Sequence, residues 1–513
     1  MSDDPGFEIS GIDPSLPADL AKAVWEKDPS AWGPGEDDPA ERLGWLTLQV
    51  SMREELARLA ATARSVVDDG IATVTLLGMG GSSLAPEVFF ETFGSAPGHP
   101  DLIVLDSTHP AQVRAVRDSL DLERTLWLVS SKSGTTVETM SLYRYFRDLQ
   151  DRGDRFVAVT DPGTPLEDLA RRSGFRDTFL NPPDVGGRYS ALSLFGLVPG
   201  ALIGAELDAL LASAGTAAQA CGPGEPPERN PGLAVGSAMG EAAKGGRDKL
   251  TFVTSDAIAS FGDWLEQLIA ESTGKKDTGI VPVVGEPRAP ASRYGDDRIF
   301  AWIHLAEDDS DEAFIEELRS AGHPVIETRL SDPTDLGAQI FMWEFATALA
   351  GAVLGINAFD QPNVEAAKRA SKQILASGED VTWDAGDPGR LFDGIGSGEL
   401  AVIVAFAPRD DANDEVLAAA RHKLLSSSGV ATMRGFGPRY LHSTGQLQKG
   451  GPPRVRAAVA LDVPAGDEPI PADRHGFARL VSAQALGDVR ALRQAGRPVV
   501  AATWADLVDW ARS

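Results

Sequence analysis

The sequence predicts an α/β protein: two successive doubly wound parallel-sheet blocks followed by a smaller C-terminal α/β segment. Two observations carry this. Strand-like apolar runs recur along the chain, and about 10–15 helical residues separate most of them, the pattern of βαβ units with helices on both faces of a sheet. One of the runs, Thr125-Leu126-Trp127-Leu128-Val129, is apolar enough to read as a buried strand.

Taken in order, residues 1–45 are rich in Pro and Asp with one short helical piece, and read as an arm over the surface. Residues 46–68 carry a strong amphipathic helical pattern. The strands of the first block are expected at 71–77, 102–106, 125–130, 155–160 and 177–180, and a helical stretch over 190–213 closes it. Residues 221–231, rich in Gly, Pro and Glu, read as a linker. The second block has strands at 249–254, 280–284, 299–305 and 324–330, then long helices near 336–355 and 363–375. The third segment has strands at 399–406, 430–434, 455–461 and 498–503. The expected division is therefore an arm and helix over 1–68, a first domain over 69–220, a second over 221–380 and a C-terminal segment over 381–513.

Composition narrows the function. At 513 residues and 43% hydrophobic content, the chain can bury two or three cores. A net charge of −28 argues against nucleic-acid and anionic-membrane partners, and means that an anionic ligand needs locally placed positive groups. The single cysteine, Cys221, excludes an internal disulfide and a cysteine-based metal site. The N-terminal Met1-Ser2-Asp3-Asp4-Pro5 lacks the basic and apolar regions of a signal peptide. The longest apolar run, near Phe345, is about a dozen residues, against the roughly 20 that span a bilayer. A soluble cytoplasmic protein is expected.

Two loops suggest a ligand. Residues Ser131-Lys132-Ser133-Gly134-Thr135-Thr136 join a buried strand to a helix, placing hydroxyls, a glycine and an ammonium at a helix N-terminus, where N–H groups and the helix dipole favour an anion. The first strand ends in Gly78-Met79-Gly80-Gly81-Ser82-Ser83. That turn could serve a dinucleotide, with Asp106 as the ribose acid, but Ser83 stands where the third glycine belongs. The pair of loops favours a sugar phosphate.

Together with further segments, these loops resemble the phosphoglucose isomerase family. Asp184-Val185-Gly186-Gly187-Arg188-Tyr189-Ser190 is similar to one family signature, and Phe359-Asp360-Gln361-Pro362-Asn363-Val364-Glu365-Ala366-Ala367-Lys368 to the other. Trp264-Leu265-Glu266-Gln267-Leu268-Ile269-Ala270-Glu271-Ser272-Thr273-Gly274-Lys275 resembles the short bacterial branch. The match covers about residues 70–375 and implies two flavodoxin-like sugar-isomerase (SIS) domains. Asn363 replaces the usual Gly or Ala. The family's Leu-His-Ser-Met-Gly-Gln element does not follow Glu271; a similar Leu441-His442-Ser443-Thr444-Gly445-Gln446 lies far downstream. That arrangement resembles the isomerase half of transaldolase–isomerase fusions, without a transaldolase portion.

The resemblance implies reversible isomerisation of glucose 6-phosphate and fructose 6-phosphate by ring opening and proton transfer through a cis-enediol(ate). Mannose 6-phosphate is a possible second substrate. The general base must titrate near the working pH, which a desolvated glutamate can do. Glu271 is the candidate, with Glu286, in a Gly-Glu-Pro element, as rival. Arg188 suits the enediolate charge. Lys368, which Glu365 could pair, and His442 suit ring opening, with His304 and His323 as rival imidazoles. Gly80, Gly81 and Ser82 are expected to approach the sugar, Gln361 to bond its hydroxyls, and Ser131, Ser133 and Thr136 with Lys132 to grip the C6 phosphate. No cofactor or metal is implied, since His and acidic residues do not cluster at ligand spacing. A homodimer is the family-based expectation. The competing classes are a non-catalytic sugar-phosphate sensor and a nucleotide-dependent oxidoreductase.

Overall fold

Each predicted block folds into its own parallel sheet. The computed structural model describes residues 6–377 and 383–513, so the boundary expected at 380/381 lies outside the described residues. Strand β1 (Phe7–Ser10) belongs to the second sheet. The first sheet comprises β2 (Thr73–Leu77), β3 (Asp101–Leu105), β4 (Thr125–Ser130), β5 (Phe156–Thr160) and β6 (Asp177–Leu180), in spatial order β3-β2-β4-β5-β6, all parallel. Every residue of β4 is buried because helices cover both faces. The strand order reverses between β2 and β4. In open α/β sheets ligands bind outside the carboxyl ends of the strands at such a point. The turn after β2 and the loop after β4, both singled out in the sequence, are the two connections that leave it.

The second sheet holds β7 (Lys249–Thr254), β8 (Val281–Val283), β9 (Arg298–Leu305) and β10 (Val325–Leu330) in the order β1-β10-β9-β7-β8. The N-terminal arm is thus not only a surface arm: β1 pairs antiparallel with the edge strand β10. Four residues give too short a pattern to read from sequence. The third sheet holds β11 (Leu400–Phe406), β12 (Ala431–Phe436), β13 (Val455–Leu461) and β14 (Val499–Thr503) in the order β12-β11-β13-β14. It therefore repeats the strand order of the first sheet with one strand fewer.

Two helices differ from expectation. The stretch 46–68 is interrupted by a 3-10 turn, Met52–Glu55, between Leu48–Ser51 and Leu56–Asp68; the tighter winding keeps Met52 on the buried side. The stretch 190–213 splits into Leu194–Leu202 and Leu207–Ala220, because Gly204 adopts φ +80° and ends the first helix.

Among the described residues, one stretch, Pro333–Leu354, is long and apolar enough to cross a membrane, yet 83% of its apolar window is buried inside the fold. It is the central core helix of the second unit, and its buried face continues into the core shared with the first sheet. The third unit docks on both others through shared apolar clusters, Ile470, Phe477 and Leu480 against the first and Val402 and Met433 with Val281 and Val283 of the second, and through polar contacts. Arg439 donates to Asp106 at 2.6 Å and pairs with Glu87, which Arg409 also reaches. Thr108 donates to Gln484 at 2.6 Å, and Gln446 to the carbonyl of Gly274 at 2.8 Å.

Candidate active site

The turn after β2 is where three segments of chain meet. A Cβ on Gly81 would lie 1.9 Å from the Gly187 carbonyl oxygen, and one on Gly80, at φ +55°, 2.5 Å from that of His442. Only glycine permits both approaches. Ser82 is buried in the same turn, and Ser83 bonds back to Gly80 and to Asp106. Asp106 is thereby committed to Arg439 and Ser83, which removes the acid that a dinucleotide ribose would need.

The loop after β4 leads into the helix Val137–Leu149, whose N-terminal amides carry no side-chain cap. Ser131 and Thr136 hydroxyls lie 2.9 Å apart, and Ser133 and Thr135 hydroxyls 3.0 Å apart. Ser133, Thr135, Thr136, Val137 and Glu138 form one wall of a cavity of about 370 Å³. Lys368 and Lys372, on the helix Val364–Ser377, line the same cavity, as do His442 and Lys449. These cations supply local positive charge in a strongly acidic protein. Lys368 pairs with Glu365 at 3.1 Å on its own helix face, and Lys449 with Asp488 at 2.6 Å.

His442 sits on the 3-10 turn Arg439–His442 that follows β12. Its Nε2 lies 3.1 Å from Glu138 Oε1, which also accepts from Gln484 at 2.7 Å. Burial pushes the Glu138 carboxyl up, but the His442 charge and hydrogen bond outweigh it and hold the group below its ordinary range. The carboxylate orients the imidazole. Glu138 was missed in the sequence because an acid in the first helical turn reads as ordinary dipole compensation.

Glu271 lies near the end of the helix Phe261–Thr273, with only 6% of its surface exposed. Burial pushes its pKa up to about 7, against the opposing pull of Arg188, His442, Lys368 and Lys275. Arg188 Nη1 is 3.7 Å from its Oε2. The rest of that guanidinium is tied down: Nε donates to Ser272 Oγ at 2.9 Å, and Nη2 to the carbonyls of Ala358 at 2.7 Å and Asp360 at 3.3 Å. Gln267 donates to the His442 carbonyl at 2.7 Å and lies 3.5 Å from Glu271 Oε2. The third unit is thus fastened directly to the helix that carries Glu271.

The rivals sit elsewhere. Glu286 is fully buried against Arg298 at 2.9 Å, and accepts from the Thr432 amide and hydroxyl at 2.9 and 2.8 Å. His304 stacks on Trp302 and faces Glu327 at 3.3 Å; His323 bonds the Ala291 carbonyl. None of the three lines the cavity, and neither do Glu271 and Arg188; Glu271 is joined to its wall through Gln267, which bonds the carbonyl of His442. Of the eight binding candidates only Ser133 and Thr136 line it; Gly80, Gly81, Ser82, Ser131, Lys132 and Gln361 do not. Lys132 pairs with Asp161 and donates to the Pro183 carbonyl at 3.1 Å, so its charge is already engaged. Gln361 is exposed and outside the cavity wall.

The sequence profile of phosphoglucose isomerase matches residues 50–285. A glucose-6-phosphate isomerase of Rubrobacter xylanophilus is 31% identical over 420 residues, spanning 71% of this chain and 93% of its own length. The chain belongs to the phosphoglucose isomerase family. A probable glucose-6-phosphate isomerase of Haloarcula marismortui is 30% identical, over 62% of this chain and 82% of that relative. Among solved structures, a hypothetical protein of Thermus thermophilus superimposes with a TM-score of 0.61 at 27% identity, covering 70% of this chain and 94% of that one. A glucose-6-phosphate isomerase of Chlamydia trachomatis shares the fold at a TM-score of 0.54 and 22% identity, covering 76% and 84%. The α/β fold with sugar-isomerase-type sheets is therefore the family's own.

Proposed function

We propose that this chain interconverts glucose 6-phosphate and fructose 6-phosphate. The observation that carries the reading is Glu271, a buried carboxyl poised at about pH 7 beside a guanidinium with one end unclamped. The C6 phosphate sits on the helix N-terminus at Ser133, Thr135 and Thr136, with Lys368 and Lys372 across the cavity as counter-charge. Ser131 supports that loop through Thr136, and Lys132 through Asp161. Gly80, Gly81 and Ser82 shape the floor where the sugar meets the glycine turn, and Gln361 stays a candidate for its hydroxyls.

Ring opening needs a proton removed from the C1 hydroxyl and one delivered to the ring oxygen. His442, held by Glu138, and Lys368 supply that pair. The Glu271 carboxylate then takes the C2 proton of the open aldose, leaving an enediolate whose oxygen charge faces Arg188. The O2 hydroxyl proton passes to O1, and the Glu271 carboxyl, whose proton exchanges with solvent, delivers a proton to C1; this yields the ketose, and no electron acceptor is needed.

The chain divides, in this reading, into the arm and helix of 1–68, sugar-isomerase domains over 69–220 and 221–380, and a third unit over 381–513. That third unit carries His442 to the cavity from within the same chain. A homodimer is the proposed assembly, and sedimentation analysis tests it. The activity is tested by a coupled assay with purified protein. Interconversion with solvent deuterium entering C2 of glucose 6-phosphate is expected. Binding of fructose 6-phosphate without turnover would make the protein a sensor instead.

A further inference from the structure

Arg188 can face the reacting carbons only if its guanidinium is held from behind. Two groups do this. One is Ser272, directly next to Glu271, which takes the Nε hydrogen at 2.9 Å. The other is the segment 357–360, an irregular link between the helices Leu336–Leu354 and Val364–Ser377, whose Ala358 and Asp360 carbonyls take Nη2. A link without regular structure does not by itself hold two carbonyls in register.

Lys275 supplies the missing support. Its side chain is 1% exposed, and its ammonium donates to the Asn357 carbonyl at 2.7 Å, the Asp360 carbonyl at 2.6 Å and Asp360 Oδ1 at 2.9 Å. All three hydrogens of the ammonium are thereby used on this one link. The Asp360 carbonyl oxygen is shared between Lys275 and Arg188 Nη2. The link is also fixed from its far side, by the Glu36 amide on Asp360 Oδ2 and by Asn357 donating to the Asp37 carbonyl.

Resting on the isomerase reading, we propose that Lys275 is a positioning residue that sets Arg188 against Glu271. Residues 271–275 then do three things within five positions. Glu271 moves the proton, Ser272 holds one edge of the arginine, and Lys275 holds the Asp360 carbonyl, one of the two that fix the other edge. The geometry between base and arginine is thus held from residues 271–275 together with the link 357–360. Burial pulls the Lys275 pKa down to about 7, reinforced by Arg188 and opposed by Asp360 and Glu271, so its charge is sensitive to the same environment as the base. Lys275 does not line the cavity and acts through Arg188.

The test compares wild type with Lys275→Met in turnover and in affinity for a sugar-phosphate hydroxamate that mimics the enediolate. We expect kcat to fall about 100-fold, the size of effect that a misplaced catalytic group produces, with hydroxamate affinity falling in parallel. KM for fructose 6-phosphate should stay within about twofold, because ground-state binding rests on the phosphate loop. The acid limb of the kcat/KM profile should move to higher pH, since Glu271 loses one of the four cations (Arg188, His442, Lys368 and Lys275) that oppose its burial. A simple structural anchor would lower the folded fraction without moving that limb.

A folded Lys275→Met protein with wild-type kcat and hydroxamate affinity overturns the proposal. If that variant does not fold, Asp360→Asn and Ser272→Ala read the same clamp. Each should show the split between kcat and KM at about tenfold, and an unchanged kcat in both overturns it. Should wild type bind the hydroxamate yet turn nothing over, the isomerase reading fails while the affinity comparison still decides the role of Lys275. Should wild type neither turn over nor bind, both readings fall.

Discussion

Two buried glutamates in the second unit, Glu271 and Glu286, each lie beside an arginine, and their surroundings differ in kind. Glu286 is closely paired: its Oε1 accepts from the Thr432 amide and hydroxyl and from Arg298, Arg298 Nη1 lies 2.9 Å from its Oε2, and Arg298 itself is bonded to Thr251 at 2.7 Å. Glu271 has Arg188 at 3.7 Å and one long contact to Gln267. Burial that outweighs the neighbouring charges raises the pKa of the Glu271 carboxyl. A carboxylate that must take a proton is left short of partners, whereas one that joins two elements has close ones. The sequence offers both as candidate bases, and the number of partners separates them.

This contrast can be broken by substitution. Glu271→Gln should lower kcat by about a thousandfold or more, as expected for loss of a general base, with phosphate binding retained in a thermal-shift assay. Turnover close to wild type would erase the distinction between the two sites. His442→Asn should cost about 100-fold in kcat, with Glu138→Gln costing less, because Glu138 only orients the ring. Glu286→Ala should do the reverse of Glu271→Gln. Breaking a buried pair costs about 3–5 kcal/mol of stability, read by denaturant unfolding, while kcat per folded molecule stays unchanged.

Weaker effects sharpen the same contrast. Ser133→Ala with Thr136→Val should raise KM about tenfold, equivalent to about 1.4 kcal/mol, with little change in kcat. The pH dependence of stability should also differ. A carboxyl whose pKa is raised by folding binds its proton more tightly in the folded state, so stability falls as pH climbs from the ordinary carboxyl range through about 7. Glu271→Gln removes that loss. The variant should melt above wild type near about pH 8, with the gap closing near about pH 4. A gap of equal size at both would contradict the burial of an uncompensated charge.

The fold was largely legible in the sequence. The parallel strands of the three sheets, β2 to β14, were placed within two or three residues, because βαβ units repeat apolar runs that carry their own signal. What escaped was short or tertiary: β1, whose pairing with β10 joins residues more than 300 positions apart, and the 3-10 turn at Met52–Glu55. In the site, motif resemblance brought Glu271, Arg188, Lys368 and His442 to one region. The roles of Glu138 and Lys275 were not visible, since an acid at a helix start and a lysine after a glycine look ordinary until their partners from distant segments are in place. Lys132 read as the phosphate charge for the same reason; its partner Asp161 lies 29 positions away, just past the end of the neighbouring strand β5.

Deuterium exchange from solvent into C2 of glucose 6-phosphate, compared between wild type and Glu271→Gln, reports directly on which group moves the proton. If Glu271 is the base, wild type incorporates deuterium during turnover, and the variant loses exchange and isomerisation together while still binding fructose 6-phosphate. Exchange that persists in Glu271→Gln at the wild-type rate would mean that another group takes the C2 proton.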